Sequence, residues 1–176
     1  MKVIPFLCFF LTLQTPMVLF DFNAQSELKN WVVVDDVVMG GRSTGSFSLT
    51  PEGHGLFKGR VSLENNGGFS SVRHRFAPKQ VGEFTKIKLR VRGDGKVYQF
   101  RVKSSAGDAH AYVATFETTP AWSTVEIPFA SMYPSFRGQK LKIPNYPGEV
   151  MEEIAFLIAN KTAESFALES DRITLE

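Results

Sequence analysis

The sequence predicts an all-β domain, a sandwich or a barrel. Three observations lead there. Short runs of alternating apolar and polar residues recur along the chain, separated by glycine, proline and asparagine turns. No stretch of useful length carries a helical period. Sixteen of the 176 residues are phenylalanine, whose large flat rings suit the gap between packed sheets. A chain of this length can bury a hydrophobic core without disulfide or metal staples, and no repeat or linker divides it, so a single domain is expected.

The elements follow in order. Residues 1–16 hold Lys2 ahead of an apolar run of about a dozen residues, the length of a signal-peptide core and too short for a stable membrane span. No small-x-small cleavage triplet follows, so the other reading is an apolar extension or a first buried strand. A signal implies a periplasmic or extracellular protein, its absence a cytoplasmic one. The domain proper is 17–176. A strand is expected over 17–22, then one or two helical turns capped by Asn23, then a strand over 31–34. A loop over 35–41 leads into extended structure over 42–49, with Phe47 and Leu49 on one face. After the turn at 51–55, residues 56–63 alternate, with Phe57, Val61 and Leu63 inward. Asn65, Asn66, Gly67 and Gly68 tolerate positive φ and make a turn, and the imperfect alternation of 69–76 suggests a bulged return strand.

The centre is the clearest part. Ile87, Leu89 and Val91 point inward, and Lys86, Lys88, Arg90 and Arg92 outward. Beyond Gly93-Asp94-Gly95, Tyr98, Phe100 and Val102 point inward, and Gln99, Arg101 and Lys103 outward. This reads as a hairpin with one wet, basic face, which Arg73 and Arg75 extend. Strands are expected over 110–118 and 122–129, a loop over 130–148, a strand buried on both faces over 154–159, and a last strand over 166–175. Tyr133 and Tyr146, in the long loop, are expected to be exposed; the other tyrosines and tryptophans fall mostly in the inward register.

Several chemistries find no support. A net charge of +2 is too mild for a nucleic-acid partner. The one cysteine, Cys8, lies in the N-terminal run, so the body offers no disulfide, thiolate metal site or cysteine nucleophile. His54, His74 and His110 stand apart from one another and from carboxylates at ligand spacing, so no metal is expected, though a calcium site built from loop carbonyls leaves no sequence trace. Gly45-Ser46-Phe47 is no nucleophile elbow, and Gly40-Gly41 is followed by no helix that would make a phosphate loop. Asp35 and Asp36 are neighbours that a strand would point apart, and nothing in the spacing selects a carboxylate pair for glycoside chemistry. Asp36 is instead expected to cap the glycine loop through backbone hydrogen bonds. No catalytic residue and no cofactor is assigned. The basic face is either a solvated surface that discourages edge pairing or a surface for an acidic partner or anionic sugar.

Two stretches carry a resemblance. Trp31, Asp36 and Met39-Gly40-Gly41-Arg42-Ser43 are followed by Phe57-Lys58-Gly59 and by Leu63-Glu64-Asn65-Asn66-Gly67-Gly68-Phe69-Ser70-Ser71-Val72-Arg73. With Arg92-Gly93-Asp94-Gly95, Trp122 and Ile127-Pro128-Phe129, this pattern resembles the complex I intermediate-associated protein 30 family over about 17–176. The chain departs from the family's usual residues at Ala155, where glycine is common, at Glu164-Ser165 and at Asp171-Arg172-Ile173. The resemblance implies a galactose-binding-like jelly-roll β-sandwich. It also implies a non-enzymatic assembly factor or chaperone that engages another protein, as the family's mitochondrial member does for respiratory complex I. The alternative it leaves is a carbohydrate- or small-ligand-binding module. The candidate binding residues are Asp36, Met39, Gly40, Gly41, Ser43, Asn65, Asn66, Gly67, Gly68, Phe69 and Arg73, with Arg90 and Arg92 from the basic face. The loop 36–43 and the turn 65–73 are expected to lie side by side and to form or brace one surface site.

Overall fold

A computed structural model describes residues 15–176, so the reading of 1–16 as a signal falls outside the described residues except for Thr15 and Pro16. The strands are β1 (Met17–Asp21), β2 (Trp31–Asp35), β3 (Thr44–Leu49), β4 (Gly55–Val61) and β5 (Ser70–Gln80). After them come β6 (Lys86–Gly93), β7 (Val97–Lys103), β8 (Ala111–Glu117) and β9 (Ser123–Pro128). The last four are β10 (Tyr133–Phe136), β11 (Gln139–Lys140), β12 (Val150–Ile158) and β13 (Glu164–Leu175). They form two antiparallel sheets packed face to face as a jelly-roll sandwich. One sheet runs β3-β4-β13-β6-β9, with β1 beside the second half of β13; the other runs β11-β10-β8-β7-β12-β5-β2.

Alternation explains the core. Ile87, Leu89 and Val91 of β6 face Tyr98, Phe100 and Val102 of β7 across the sandwich, all fully buried. Phe57 packs on Phe166 with ring centroids 4.7 Å apart, and Phe100 on Phe156 at 5.3 Å. Each such side chain contributes about 1.5–3 kcal/mol by leaving water. One end is closed by Trp31, which stacks on His74 at 4.6 Å and meets Phe20, Phe22 and Phe47. Burial pushes the His74 imidazole down, so this packed histidine is neutral.

The central hairpin is the main correction. β6 and β7 do not pair: β6 lies between β13 and β9 in one sheet, and β7 between β12 and β8 in the other. Gly93-Asp94-Gly95 carries the chain from sheet to sheet. The inward residues are those the alternation predicts, because two strands facing each other across a core show the same alternation as two strands side by side. The basic residues therefore divide between opposite outer faces of the sandwich. Asp94 fixes the crossing. Its carboxylate accepts hydrogen bonds from the Tyr98 hydroxyl (3.0 Å), the Ala167 amide (3.0 Å) and the Lys96 ammonium (2.9 Å).

Smaller differences have local causes. Residues 23–29 make no helix; the Asn23 side chain accepts the Gln25 amide at 2.9 Å in an Asx turn. β4 ends at Val61, which leaves Leu63 exposed rather than inward. β5 alternates imperfectly because Ser70, Ser71 and Val72 are covered on both sides between β2 and β12; its register shift lies further on, opposite Met151 and Glu153. The long loop holds the short β10–β11 pair. Tyr146 is buried and donates its hydroxyl hydrogen bond to the Val150 carbonyl at 2.8 Å, and Tyr133 is half-buried. Trp122 lies on an outer face under the Arg92 guanidinium.

Asp94→Ala strands the Tyr98 hydroxyl in the core and is expected to cost about 1–3 kcal/mol in urea denaturation. Tyr98→Phe, which removes the donor instead, should cost about 1 kcal/mol or less, and equal losses would refute this account of the corner.

Candidate functional site

Asp36 follows β2 directly and begins a short 3-10 turn, Asp36–Met39, and no part of it is exposed. Its carboxylate accepts four hydrogen bonds. Oδ1 takes the Ser43 amide at 2.9 Å; Oδ2 takes the Ser43 hydroxyl at 2.5 Å, the Gly68 amide at 2.6 Å and the Phe69 amide at 3.2 Å. Burial alone would push this carboxyl up. The Ser43 hydroxyl and the Gly68, Ser43 and Phe69 amides outweigh it and hold the group below the usual carboxylate range. A Cβ at Gly41 would overlap the carboxylate, and one at Gly67 would come within 2.6 Å of it, so both glycines answer to the same buried group. Gly40 closes the turn in the left-handed region at φ 91°, and its carbonyl accepts the Asn65 side-chain amide at 3.1 Å. Beside it, Asp35 accepts the Gly45 amide at 2.8 Å and the Ser70 hydroxyl at 2.5 Å. The loop 36–43 and the turn 65–73 thus lie side by side, cross-linked through one carboxylate.

The clamp decides which candidate residues face solvent. Asp36, Gly41 and Ser43 are buried and brace the loop. Val37, Val38 and Met39 are pushed outward, 57%, 72% and 60% exposed. Met39, Asn66, Gly67, Gly68, Phe69 and Arg73 line a groove of about 670 Å³ on the outer face of the second sheet. Gly40 and Asn65 stand exposed at its end. Arg90 and Arg92 are elsewhere, on the outer face of the first sheet, because β6 and β7 are in different sheets.

The groove contains residues that the sequence reading did not assign to a site. Strand register sets one row across six strands: Tyr133, Val113, Arg101, Ala155, Arg73 and Val32. Arg101 is half-buried, and its Nε is enclosed without a hydrogen-bond acceptor. Burial, then the nearby Arg73 charge, draws its ionisation below the usual guanidinium value. In the next row Glu153 sits between Lys103 and Arg75 and accepts the Arg75 Nε hydrogen bond at 2.6 Å. The outward alternation of Arg101 was a usable signal. Its neighbours were not, because they come from β12 and β5.

The opposite outer face is different. Lys86 pairs with Glu126 at 2.8 Å, Lys88 with Glu176 at 2.8 Å, Arg90 with Asp171 at 3.5 Å and Arg92 with Glu169 at 2.9 Å. Those cations stand in a neutralised, solvated lattice. Other acidic residues also have local partners: Glu64 pairs with Arg42 at 3.1 Å, and Asp108 accepts the Ser105 amide at 3.0 Å. No cluster of three or more histidine, cysteine or acidic residues suited to a metal occurs among the described residues, and no helix there is long and apolar enough to cross a membrane.

Asp36→Asn sets an amide N–H₂ against the amide donors and is expected to lower stability by roughly 2–4 kcal/mol at neutral pH. The folded carboxyl ionises below its unfolded counterpart, so its contribution is present above about pH 4 and fades as pH falls through the folded value. The gap between wild type and variant, measured by urea titration at pH 7 and again at pH 3, should therefore narrow at the lower pH. A gap independent of pH would rule out the carboxylate as its source.

Known proteins share this architecture. Among solved structures, a family 11 carbohydrate-binding module from Clostridium thermocellum, in complex with a β-1,3-1,4-mixed-linked tetrasaccharide, superposes with a TM-score of 0.65 at 19% identity, over 91% of this chain and 94% of that one. An agarase gives a TM-score of 0.63 at 12% identity, over 93% of this chain and 25% of that one. At such identities the likeness establishes the sandwich fold alone. Curated relatives share more of the sequence. The mitochondrial complex I intermediate-associated protein 30 of Drosophila melanogaster is 26% identical over 187 residues, 90% of this chain and 62% of that protein. The Mus musculus protein of that name is 24% identical over 182 residues, 89% of this chain and 55% of that protein. The chain thus spans less than two thirds of the length of either relative. A family model described as "Complex I intermediate-associated protein 30 (CIA30)" matches residues 20–170, which take in both clamped loops and nearly the whole sandwich, and the chain belongs to that family.

Proposed function

We propose that the chain is a non-enzymatic binding module that engages another protein, in the manner of an assembly factor. The observation that carries this reading is the exposure of Val37, Val38 and Met39 on a turn held by the Asp36 carboxylate. Contiguous exposed apolar side chains mark protein contact surfaces. A turn already fixed by four hydrogen bonds loses little further freedom on binding. Leu63, also exposed, lines the same groove as Met39 and extends the apolar rim. The relatives are named for association with complex I intermediates, which makes an intermediate of a respiratory complex the first class of partner to test.

The carbohydrate reading has less support from the site. Sugar grooves use exposed rings beside free carboxylates or amides. Here the Lys140 ammonium lies 5.3 Å from the Tyr133 ring centroid, and the Arg137 guanidinium 5.3 Å from that of Phe136. Glu153 is 3% exposed and committed to Arg75. For catalysis, the carboxylates Asp35, Asp36, Asp94 and Glu153 are each engaged in structural hydrogen bonds and do not converge on one pocket.

The test is affinity capture from the native host with tagged wild type and the double variant Val38→Asp, Met39→Asp. Wild type should enrich specific subunits or assembly intermediates of a respiratory complex. The variant should lose that enrichment by about tenfold or more. Its stability should stay within about 0.5 kcal/mol, because the changes lie on the surface. Undiminished capture by the variant, or glycan-array binding by wild type that the variant retains, would overturn the proposal.

A further inference from the structure

The groove holds an imbalance that its own neighbours, Glu153 chief among them, correct only in part. Its charged lining is Arg73, Arg101, Lys103, Arg137 and Lys161 against Glu153. Glu153 is taken by Arg75 on the flank, which settles the Lys103–Glu153–Arg75 row. The row beside it has no such carboxylate. Ala155 is registered against Arg73 on one side and Arg101 on the other, so two guanidiniums flank a residue with almost no side chain. Strand spacing puts their Cα atoms about 10 Å apart on the same face. Among the described residues, neither arginine has an ion-pair partner or a side-chain hydrogen bond, and Arg101 Nε is buried without an acceptor. Buried donors are almost always satisfied, and one that is not calls for an explanation. Like charges facing a shared hollow repel, so the arrangement costs stability unless an anion joins it.

We propose that the hollow over Ala155, between Arg73 and Arg101, is a carboxylate-binding subsite that receives an acidic side chain from a peptide segment of the protein partner. This rests on the protein-binding reading above. The guanidinium fork is built for the two oxygens of a carboxylate, and two forks across one small residue can hold it from both sides. A peptide fits better than an anionic sugar for two reasons. The groove's open end is rimmed by the flexible aliphatic side chains Met39 and Leu63, which suit apolar side chains flanking the acid. The rings at the opposite end are capped by Lys140 and Arg137, and Glu153 is nearly buried with Oε2 held by Arg75.

The probe is poly-L-glutamate, titrated calorimetrically into the full chain at about 0.15 M salt, a concentration that screens weak surface attraction. Poly-L-glutamine and polygalacturonate serve as the neutral and sugar comparisons. Wild type should bind poly-L-glutamate and ignore poly-L-glutamine. Arg101→Met and Ala155→Leu, one removing the charge and the other filling the hollow, should each weaken binding by about tenfold or more. Lys88→Gln on the opposite face should not. The thermal midpoint of Arg101→Met should hold or rise, since an unsatisfied charge is removed, whereas an arginine that served the fold would lower it. Should Ala155→Leu fail to fold, Arg101→Met carries the test. Absence of wild-type binding, indifference to Arg101→Met, or polygalacturonate binding with the same dependence in place of poly-L-glutamate would each overturn the subsite. The two proposals separate in the capture experiment. If Val38→Asp, Met39→Asp loses the partner and Arg101→Met keeps it, the protein-binding reading stands and the subsite falls; if neither variant loses it, the reading itself falls.

Discussion

One buried carboxylate organises this end of the sandwich. Asp36 takes donors from Ser43, Gly68 and Phe69, so two distant chain segments meet on its two oxygen atoms. Ser43 leads into β3 of one sheet, and Phe69 leads into β5 of the other, so the carboxylate joins the sheets as well as the loops. The Ser43 hydroxyl passes the connection on, accepting the Ser62 amide at 2.9 Å beyond the end of β4. A charge buried without partners would be prohibitive, and a charge with four donors anchors everything that supplies them. The glycine pairs follow from it. Gly41 and Gly67 are small because the carboxylate occupies the space a Cβ would need. The exposed turn Val37–Met39 follows too, because a 3-10 turn pinned at its first residue has only the outside left for its next three side chains.

The local half of this was legible in the sequence. An aspartate ahead of paired glycines is a signal for backbone hydrogen bonding around the loop, and the Asp36 carboxylate does bond across it, to the Ser43 amide rather than to those glycines. That its donors would include Gly68 and Phe69, more than thirty residues on, was not legible, since no period links the two turns. The same limit governs the strands. Alternation placed Ile87, Leu89 and Val91 inward and their basic neighbours outward, and placed Tyr98, Phe100 and Val102 inward as well. It could not say that β6 and β7 belong to different sheets, because pairing is decided by β13 and β12, which arrive last in the chain. Tyr146 shows another form of the limit. Three breakers surround it, yet its ring packs on Phe129 and Tyr112 in the interior.

The consequence for function is a sandwich with two unlike outer faces. Lys88, Arg90 and Arg92 on β6, and Gln99, Arg101 and Lys103 on β7, look alike as sequence. On the first sheet, β13 and β9 bring Glu169, Asp171, Glu176 and Glu126 beside the cations. Such exposed pairs contribute little to stability, and within each pair the charges offset one another. On the second sheet, β12 sets Ala155 and Leu157 beside Arg101 and Gln99. A cation there keeps its field and sits in a lower dielectric, where a matching anion gains more. The asymmetry comes from strand order alone.

Neither fold likeness nor family membership names a ligand for this chain, so the side chains on the sheet face carry the question. The carbohydrate module and the agarase share the backbone of this sandwich at identities of 19% and 12%, too low to carry side chains from one groove to another. A jelly roll offers a broad sheet face whatever stands on it. In this chain that face bears capped rings, a committed glutamate and unpaired arginines, beside a clamped apolar turn. Sugar recognition depends on open ring faces and free acceptors, and protein recognition on fixed apolar anchors with charge complementarity around them. The residues on which the proposed protein contact depends lie on the outward register of β7, β12 and β5 and in the Asp36 turn.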